Sequence, residues 1–245
     1  MGIPIFIIIY ITKNNKISFC TSLLVFFNLI ACQARSGWIA FAIFSVLMLI
    51  YLIKNKNKEY AKRALILLVC FITIFGVIYL PQSSKVRIKI EQVKNDVTVV
   101  KTSGIDDKLG SNRIQIWKVV IELIEKHPIF GVGTDNLKNG VGENLTETSI
   151  DFIQRAKGIM DKAHNEYLHI AVTIGIPALI LYLTFIALVI LPNIKKIFKK
   201  ESIFIILSVI ISYLAQAFFN ISTIGIAPLF WVALGILDNK NFENI

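Results

Sequence analysis

Three side chains have the chemical types that binding or proton transfer requires: Arg35, Arg113 and His164. Arg35 lies in the segment CQARSGWIAF, in a short turn between two long apolar runs. An unpaired cation at that depth of a membrane costs free energy, so we expect Arg35 to face a cavity or a binding partner. The alternative is an arginine whose side chain extends to the lipid headgroups.

Arg113 and His164 stand at the two ends of a longer polar stretch. Arg113 opens an amphipathic pattern, and the alternative for it is an ordinary contact with solvent or headgroups. His164 precedes an apolar run in AHNEYLHI, where the alternative is a polar residue of the membrane interface. His169 follows five residues later and would face another side of a helix, so the two imidazoles cannot bind a metal from one face. HNEYLH is also not HExxH, which excludes a zinc protease motif.

The elements that position these residues are long apolar runs. The chain has 245 residues and is 55% hydrophobic, with its charges confined to a few blocks. Uninterrupted apolar runs of this length are typical of membrane-spanning helices. We predict an all-α, polytopic transmembrane helix bundle with about six full spans: Ile17 to Gln33, Gly37 to Ile53, Ala64 to Leu80, Tyr167 to Leu191, Ser202 to Phe219 and Ile221 to Leu237.

The first twelve residues form an additional half span. They are apolar, but as a helix they would rise only about 18 Å, short of the roughly 30 Å hydrocarbon core. Lysines follow this run instead of preceding it, which argues against a signal peptide. The sequence therefore predicts that the chain begins inside a longer protein, or is a copy truncated at its N-terminus.

The net charge of +10 predicts membrane orientation and not a nucleic-acid partner. Basic residues concentrate in three alternating gaps between the spans, which the positive-inside rule assigns to the cytoplasm. The Arg35 turn, the long loop and the Asn220 turn then lie outside. The three cysteines, Cys20, Cys32 and Cys70, lack metal-like spacing and are expected to be packing residues.

The long polar loop divides the chain into three parts of one membrane domain: N-terminal transmembrane helices at residues 1–80, an extracytoplasmic loop at 81–163 and C-terminal transmembrane helices at 164–245. Alternating polar and β-favouring residues from Lys85 to Lys101 indicate one or two strands. Ser111 to His127 has the apolar spacing of an amphipathic helix, with Ser111 as its N-cap and an apolar repeat at Ile114, Trp117, Ile121 and Ile124. We expect this helix to lie on the membrane surface or against the bundle. Gly131 to Gly133 indicate a tight turn.

Three outer-side motifs recur in one order. They are QARSGW at 33–38, NRIQIWKVVIELIEKHPIFGVG at 112–133 and AHNEYLHIAVTIGIPALI at 163–180. This combination resembles the C-terminal half of the O-antigen ligase and O-antigen polymerase superfamily, from Ile17 onward. The resemblance implies a bacterial inner-membrane glycosyltransferase of surface polysaccharide biosynthesis in the cell envelope. Its donor would be a glycan linked to undecaprenyl diphosphate and its acceptor a hydroxyl of a glycan or lipid.

The resemblance also implies roles for the three candidates. Arg35 and Arg113 would bind the diphosphate of the carrier, since guanidinium groups neutralise phosphate oxygens bidentately. His164 would accept the proton of the acceptor hydroxyl. Transfer would invert the anomeric carbon without a metal or another cofactor. Ligation and polymerisation both remain open.

Two other functions fit the same sequence. One is a transporter or flippase that binds lipid-linked oligosaccharide without forming a bond; transporters place ionisable residues near mid-membrane, whereas these candidates cluster on one face. The other is a membrane-anchored interaction module, which predicts no dependence on Arg35.

Overall fold

The computed structural model describes residues 2–81, 85–103, 109–156 and 160–239. Every regular element within these ranges is an α-helix, as the sequence predicted for the protein as a whole. In chain order the helices are α1 (Gly2–Lys13), α2 (Lys16–Ala31), α3 (Arg35–Asn55), α4 (Lys58–Tyr79), α5 (Lys85–Ser103), α6 (Leu109–Lys126), α7 (Leu137–Glu143), α8 (Glu147–Ala156), α9 (Glu166–Thr173), α10 (Ile176–Ile194), α11 (Glu201–Ala217) and α12 (Ala227–Asp238).

Each predicted apolar run contains a helix, but the helices differ in length, and the run from Ile221 to Leu237 is helical only from Ala227. Three of those described are long and apolar enough to cross a membrane: α3, α4 and α10. The other apolar helices, α1, α2, α11 and α12, have 12, 16, 17 and 12 residues. The count of six full spans therefore stays a prediction.

The predicted span from Tyr167 to Leu191 is not one continuous helix. It breaks at Ile174 and Gly175, so that α9 ends at Thr173 and α10 begins at Ile176. Gly175 has a backbone φ of 109°, a conformation that a helix does not contain and that glycine adopts at little cost. Hydropathy could not reveal the break, because the residues on both sides of it are apolar.

The strands predicted between Lys85 and Lys101 are wrong, because this segment is the helix α5. Val86, Ile90 and Val93 recur at spacings of four and three, which is a helical period that the alternation obscured. Arg87 and Glu91, one turn apart, form an ion pair at 3.4 Å. That pairing is available only in a helix.

The chain forms two compact units. The first comprises residues 1–92, 189–216 and 224–245, and the second residues 93–188 and 217–223. In the first unit, the rings of Phe26 and Phe71 stack at 4.1 Å, which joins α2 to α4. Arg63 of α4 donates to the carbonyls of Ile11 and Thr12, at 2.8 and 3.2 Å, and so satisfies the C-terminal end of α1.

The second unit has its own hydrophobic core around α6. This helix corresponds to the one predicted from Ser111 to His127, and it packs against α7, α8 and α9. The buried cluster contains Ile116, Val119, Val120, Leu123, Leu137, Val141, Phe152, Met160, Ala163 and Val172. The apolar face of α6 is therefore covered by protein.

Two details of the α6 prediction are corrected. Its buried face contains Val120 and Leu123, whereas Ile121, part of the predicted apolar repeat, is 45% exposed. The predicted apolar residues and the residues actually buried both recur at a helical period. Packing against the neighbouring helices decides which set is buried. The helix also begins at Leu109, two residues before the predicted N-cap Ser111, and Asn112 has a left-handed φ of 65°. The described helix therefore includes Ser111, with a non-helical backbone at Asn112 directly after it.

Candidate functional site

In the second unit, α6 holds the segment that carries His164. Trp117 donates its indole N–H to the carbonyl oxygen of Ala163 at 3.0 Å, and Ala163 is fully buried. Arg113 lies one turn before Trp117 on the same helix and is close enough to His164 for its charge to act on the imidazole. The four-residue spacing of Arg113 and Trp117 places both side chains on one face of α6. Trp117 anchors the segment, and Arg113 lies near His164.

His164 is held immediately before the first turn of α9. The side chain of the buried Asn165 caps that helix by accepting the N–H of Leu168 at 3.0 Å. His164 itself has a φ of 50°, in the left-handed region that a non-glycine residue seldom adopts. Such a conformation persists only where surrounding contacts hold it.

The surroundings of His164 lower the pKa of its imidazole below the usual 6.5. The largest cause is partial burial, which disfavours the charged form, and the positive charge of Arg113 is the next. Lys162 acts in the same direction as Arg113, whereas Asp161 opposes it. At neutral pH the imidazole is therefore mainly in its neutral form. A neutral imidazole is able to accept a proton from a hydroxyl.

The segment His127 to Gly133, which we name the clamp, closes the break between α9 and α10. The backbone N–H groups of Val132 and Gly133 donate to the carbonyls of Val172 and Thr173, at 2.8 and 2.9 Å. The N–H of Ile176 donates to the carbonyl of Pro128 at 2.8 Å. The clamp thus satisfies backbone groups that a broken helix leaves without intrahelical partners.

Two glycines permit this close approach of backbone to backbone. A Cβ on Gly131 would lie 2.5 Å from the carbonyl carbon of Thr173, and one on Gly175 would lie 2.0 Å from the carbonyl oxygen of Ile129. Both glycines also have positive φ, 64° and 109°. The tight turn predicted at Gly131 to Gly133 is displaced, because the turn residues are Pro128 to Phe130, closed by the Gly131 N–H and the His127 carbonyl. Val132 and Gly133 instead pair with the end of α9.

Arg35 belongs to the first unit, where it is the first residue of α3. Its Nη2 donates to Oε1 of Gln92 at 3.5 Å, at the long limit of a hydrogen bond. The first turn of α3 lacks a side-chain cap, since Ala34 occupies the N-cap position. A helix N-terminus carries partial positive charge, and a guanidinium beside it adds to that potential. This arrangement suits an anionic ligand.

The sequence of this chain matches that of a known protein family. The sequence model of the O-antigen ligase family matches residues 20–183, more than half of the chain. The chain belongs to the O-antigen ligase family. The match spans Arg35, Arg113 and His164, the clamp and the Trp117 anchor. No curated protein matches the chain.

Two contacts in this O-antigen ligase family member were not anticipated from the sequence. Trp117 was read as one residue of an apolar repeat, whereas its indole N–H fixes the backbone next to His164. Glu166 is buried and accepts the hydroxyl of Tyr182 at 2.9 Å, which joins the first turn of α9 to α10. The sequence could indicate Glu166, because acidic residues favour the first turn of a helix. No sequence pattern indicated that Tyr182, sixteen residues later, would be its partner.

The family and the long apolar helices make this chain a membrane protein of the O-antigen ligase type. Lipid-linked glycans and their acceptors are the partners that this family implies. In the second unit, the guanidinium of Arg113 lies near the neutral imidazole of His164. The hydrogen bond from Trp117 to Ala163 holds the two segments together.

Proposed function

We propose that this protein transfers a glycan from an undecaprenyl-diphosphate carrier to an acceptor hydroxyl, with inversion at the anomeric carbon, on the outer side of the bacterial inner membrane. The observation that carries the proposal is the pairing of Arg113 with a neutral His164 in a chain of the O-antigen ligase family. A cation near a base matches the two charges of this reaction, on a leaving diphosphate and on a hydroxyl that loses a proton.

In the proposed reaction, His164 takes the proton of the acceptor hydroxyl as its oxygen attacks the anomeric carbon. The new glycosidic bond forms on the face opposite the diphosphate. The bond between the anomeric carbon and the diphosphate oxygen breaks, and the electron pair leaves with the carrier. Arg35 and Arg113 each neutralise charge that develops on the diphosphate.

The lowered pKa of His164 supports its role as base. An imidazole that is neutral at rest is ready to accept a proton, and its protonated form would lie beside Arg113. That repulsion helps the proton to leave for solvent or for the departing diphosphate after transfer. Lys162 adds to the same effect.

Replacing His164 with alanine tests the base directly. General acid–base catalysis contributes about 10²- to 10⁴-fold, so His164→Ala should lower the transfer rate by a factor in that range. The assay follows radiolabelled glycan from its polyprenyl diphosphate to an acceptor in proteoliposomes that contain the full protein. His127→Gln is the matched control, because it changes another histidine of the same unit. Equal rates for His164→Ala and the unmodified protein would remove the base assignment.

Replacing the arginines with lysine separates charge from geometry. Lysine keeps the positive charge but loses the planar fork that binds two phosphate oxygens. Arg35→Lys and Arg113→Lys should each raise the KM for the donor and lower kcat. Normal turnover in both lysine variants would contradict bidentate binding of the diphosphate.

The alternative function makes a different prediction. A transporter would show carrier movement across the bilayer with no glycosidic bond formed.

A further inference from the structure

The clamp carries two large apolar side chains that protein does not cover. Ile129 is 60% and Phe130 84% exposed, and we call these two residues the apolar tip. The backbone on either side of the tip is fixed. Pro128 accepts the N–H of Ile176, and the N–H of Gly131 donates to the carbonyl of His127 at 3.1 Å. A rigid turn that exposes adjacent apolar side chains indicates an interaction surface.

The apolar tip lies at the first turn of α10. A Cβ on Gly175 would meet the carbonyl oxygen of Ile129 at 2.0 Å and the backbone nitrogen of Phe130 at 3.1 Å. Ile174 and Ile176, on either side of that glycine, are themselves exposed. The exposed apolar surface of the tip therefore continues onto the start of the helix.

This surface also continues along α10. Ile176, Ile180 and Leu183 recur at spacings of four and three, so they share one face of the helix, and all three are exposed. α10 is one of the three described helices long and apolar enough to cross a membrane. In a helix that crosses a membrane, exposed apolar residues along one face would contact lipid.

We propose that Ile129 and Phe130 insert into the bilayer at the boundary between headgroups and acyl chains, beside the first turn of α10. Apolar and aromatic side chains at this level of a membrane bury themselves among the acyl chains, while the backbone stays near the headgroups. The lipid bilayer is favoured over a second copy of the chain because the tip is continuous with the exposed face of α10.

Insertion would set the height of the candidate base above the membrane. The clamp is hydrogen-bonded to the last carbonyls of α9, and His164 lies just before the first turn of that helix. The eight residues of α9 rise only about 12 Å, so a tip fixed in the bilayer fixes His164 at a short distance from the surface. A carrier whose diphosphate lies at the headgroups would meet the histidine there.

A depth measurement tests the proposal without any assay of activity. Cys20, Cys32 and Cys70 are replaced by alanine, and Phe130→Cys is labelled with a nitrobenzoxadiazole fluorophore. The full protein is reconstituted into vesicles of phosphatidylethanolamine and phosphatidylglycerol. Nitroxide-labelled phosphatidylcholine quenches from within the bilayer, and iodide quenches from the water. Glu143→Cys, at an exposed position at the end of α7, is the matched control.

The inference predicts at least twofold stronger lipid quenching at position 130 than at 143, greatest with the nitroxide near the headgroup end of the acyl chain. Iodide should quench position 143 more strongly than position 130. Quenching at position 130 by iodide alone would overturn the inference. Protection from both quenchers would also overturn the inference, because the tip would then be covered by protein. Cysteine crosslinking at position 130 would show whether that protein is a second copy of the chain.

Discussion

At the scale of single residues, the positive charge of Arg113 lowers the pKa of His164. Arg113 can serve a negatively charged ligand directly, and it also keeps His164 neutral by electrostatic repulsion. Burial, which is the larger cause, acts in the same direction. Asp161 acts in the opposite direction, and Lys162 reinforces Arg113.

Removing the charge of Arg113 should change the pH dependence of the reaction. The pKa of His164 is held below its usual value, so the neutral base is lost only when the pH falls through that lowered pKa. Arg113→Gln removes a cation that lowers this pKa, so the acid side of the profile of kcat/KM should move to higher pH. Lys126→Gln removes the same charge from the other end of α6 and should leave the profile in place. The pairing would be contradicted if both variants moved it equally, or if neither did.

At the scale of elements, the junction of α9 and α10 depends on backbone contacts. The clamp supplies N–H donors to the end of α9 and a carbonyl acceptor to the start of α10. Trp117 and Asn165 hold the opposite end of α9. The short helix beside His164 is therefore fixed at both ends, which limits the movement of the imidazole.

A methyl group at Gly175 should break this junction. Gly175→Ala would place a Cβ 2.0 Å from the carbonyl oxygen of Ile129, at a φ of 109° that alanine disfavours. We expect a loss of about 1–3 kcal/mol or more in the free energy of unfolding, measured by thermal or denaturant unfolding in detergent. Gly142→Ala is the control, because its Cβ would meet nothing within 4 Å and it lies in the helix α7. The close approach is not required if both variants have the same stability.

At the scale of the whole molecule, the placement of basic residues predicts the topology in the membrane. Lysines are concentrated where α3 ends and α4 begins and again between α10 and α11, at Lys54, Lys56, Lys58, Lys195, Lys196, Lys199 and Lys200. Under the positive-inside rule both gaps are cytoplasmic, and residues 81–163 lie outside. The candidate residues Arg113 and His164 then belong to the outer side.

Cysteine labelling in intact cells checks this topology. In a variant without native cysteines, Asn139→Cys should react with a membrane-impermeant maleimide before the cells are lysed. Lys196→Cys should react only after lysis, because its loop is predicted to be cytoplasmic. Labelling of both positions after lysis is the control for exposure of each cysteine. If Lys196→Cys reacted before lysis and Asn139→Cys only afterwards, the protein would have the opposite orientation to the predicted one.

The sequence by itself determined the all-α class and the apolar runs, because hydrophobic runs are local signals. It also indicated three candidate residues, whose roles stay predictions. It did not determine the break before α10 or the buried face of α6, and it misread α5 as strands. The tertiary structure decided these points, since they depend on contacts between distant segments. The clamp pairs residues 128–133 with residues 172–176, and Trp117 bonds to Ala163. No local pattern records which backbone will satisfy the end of a broken helix, and only folding brings that partner into place.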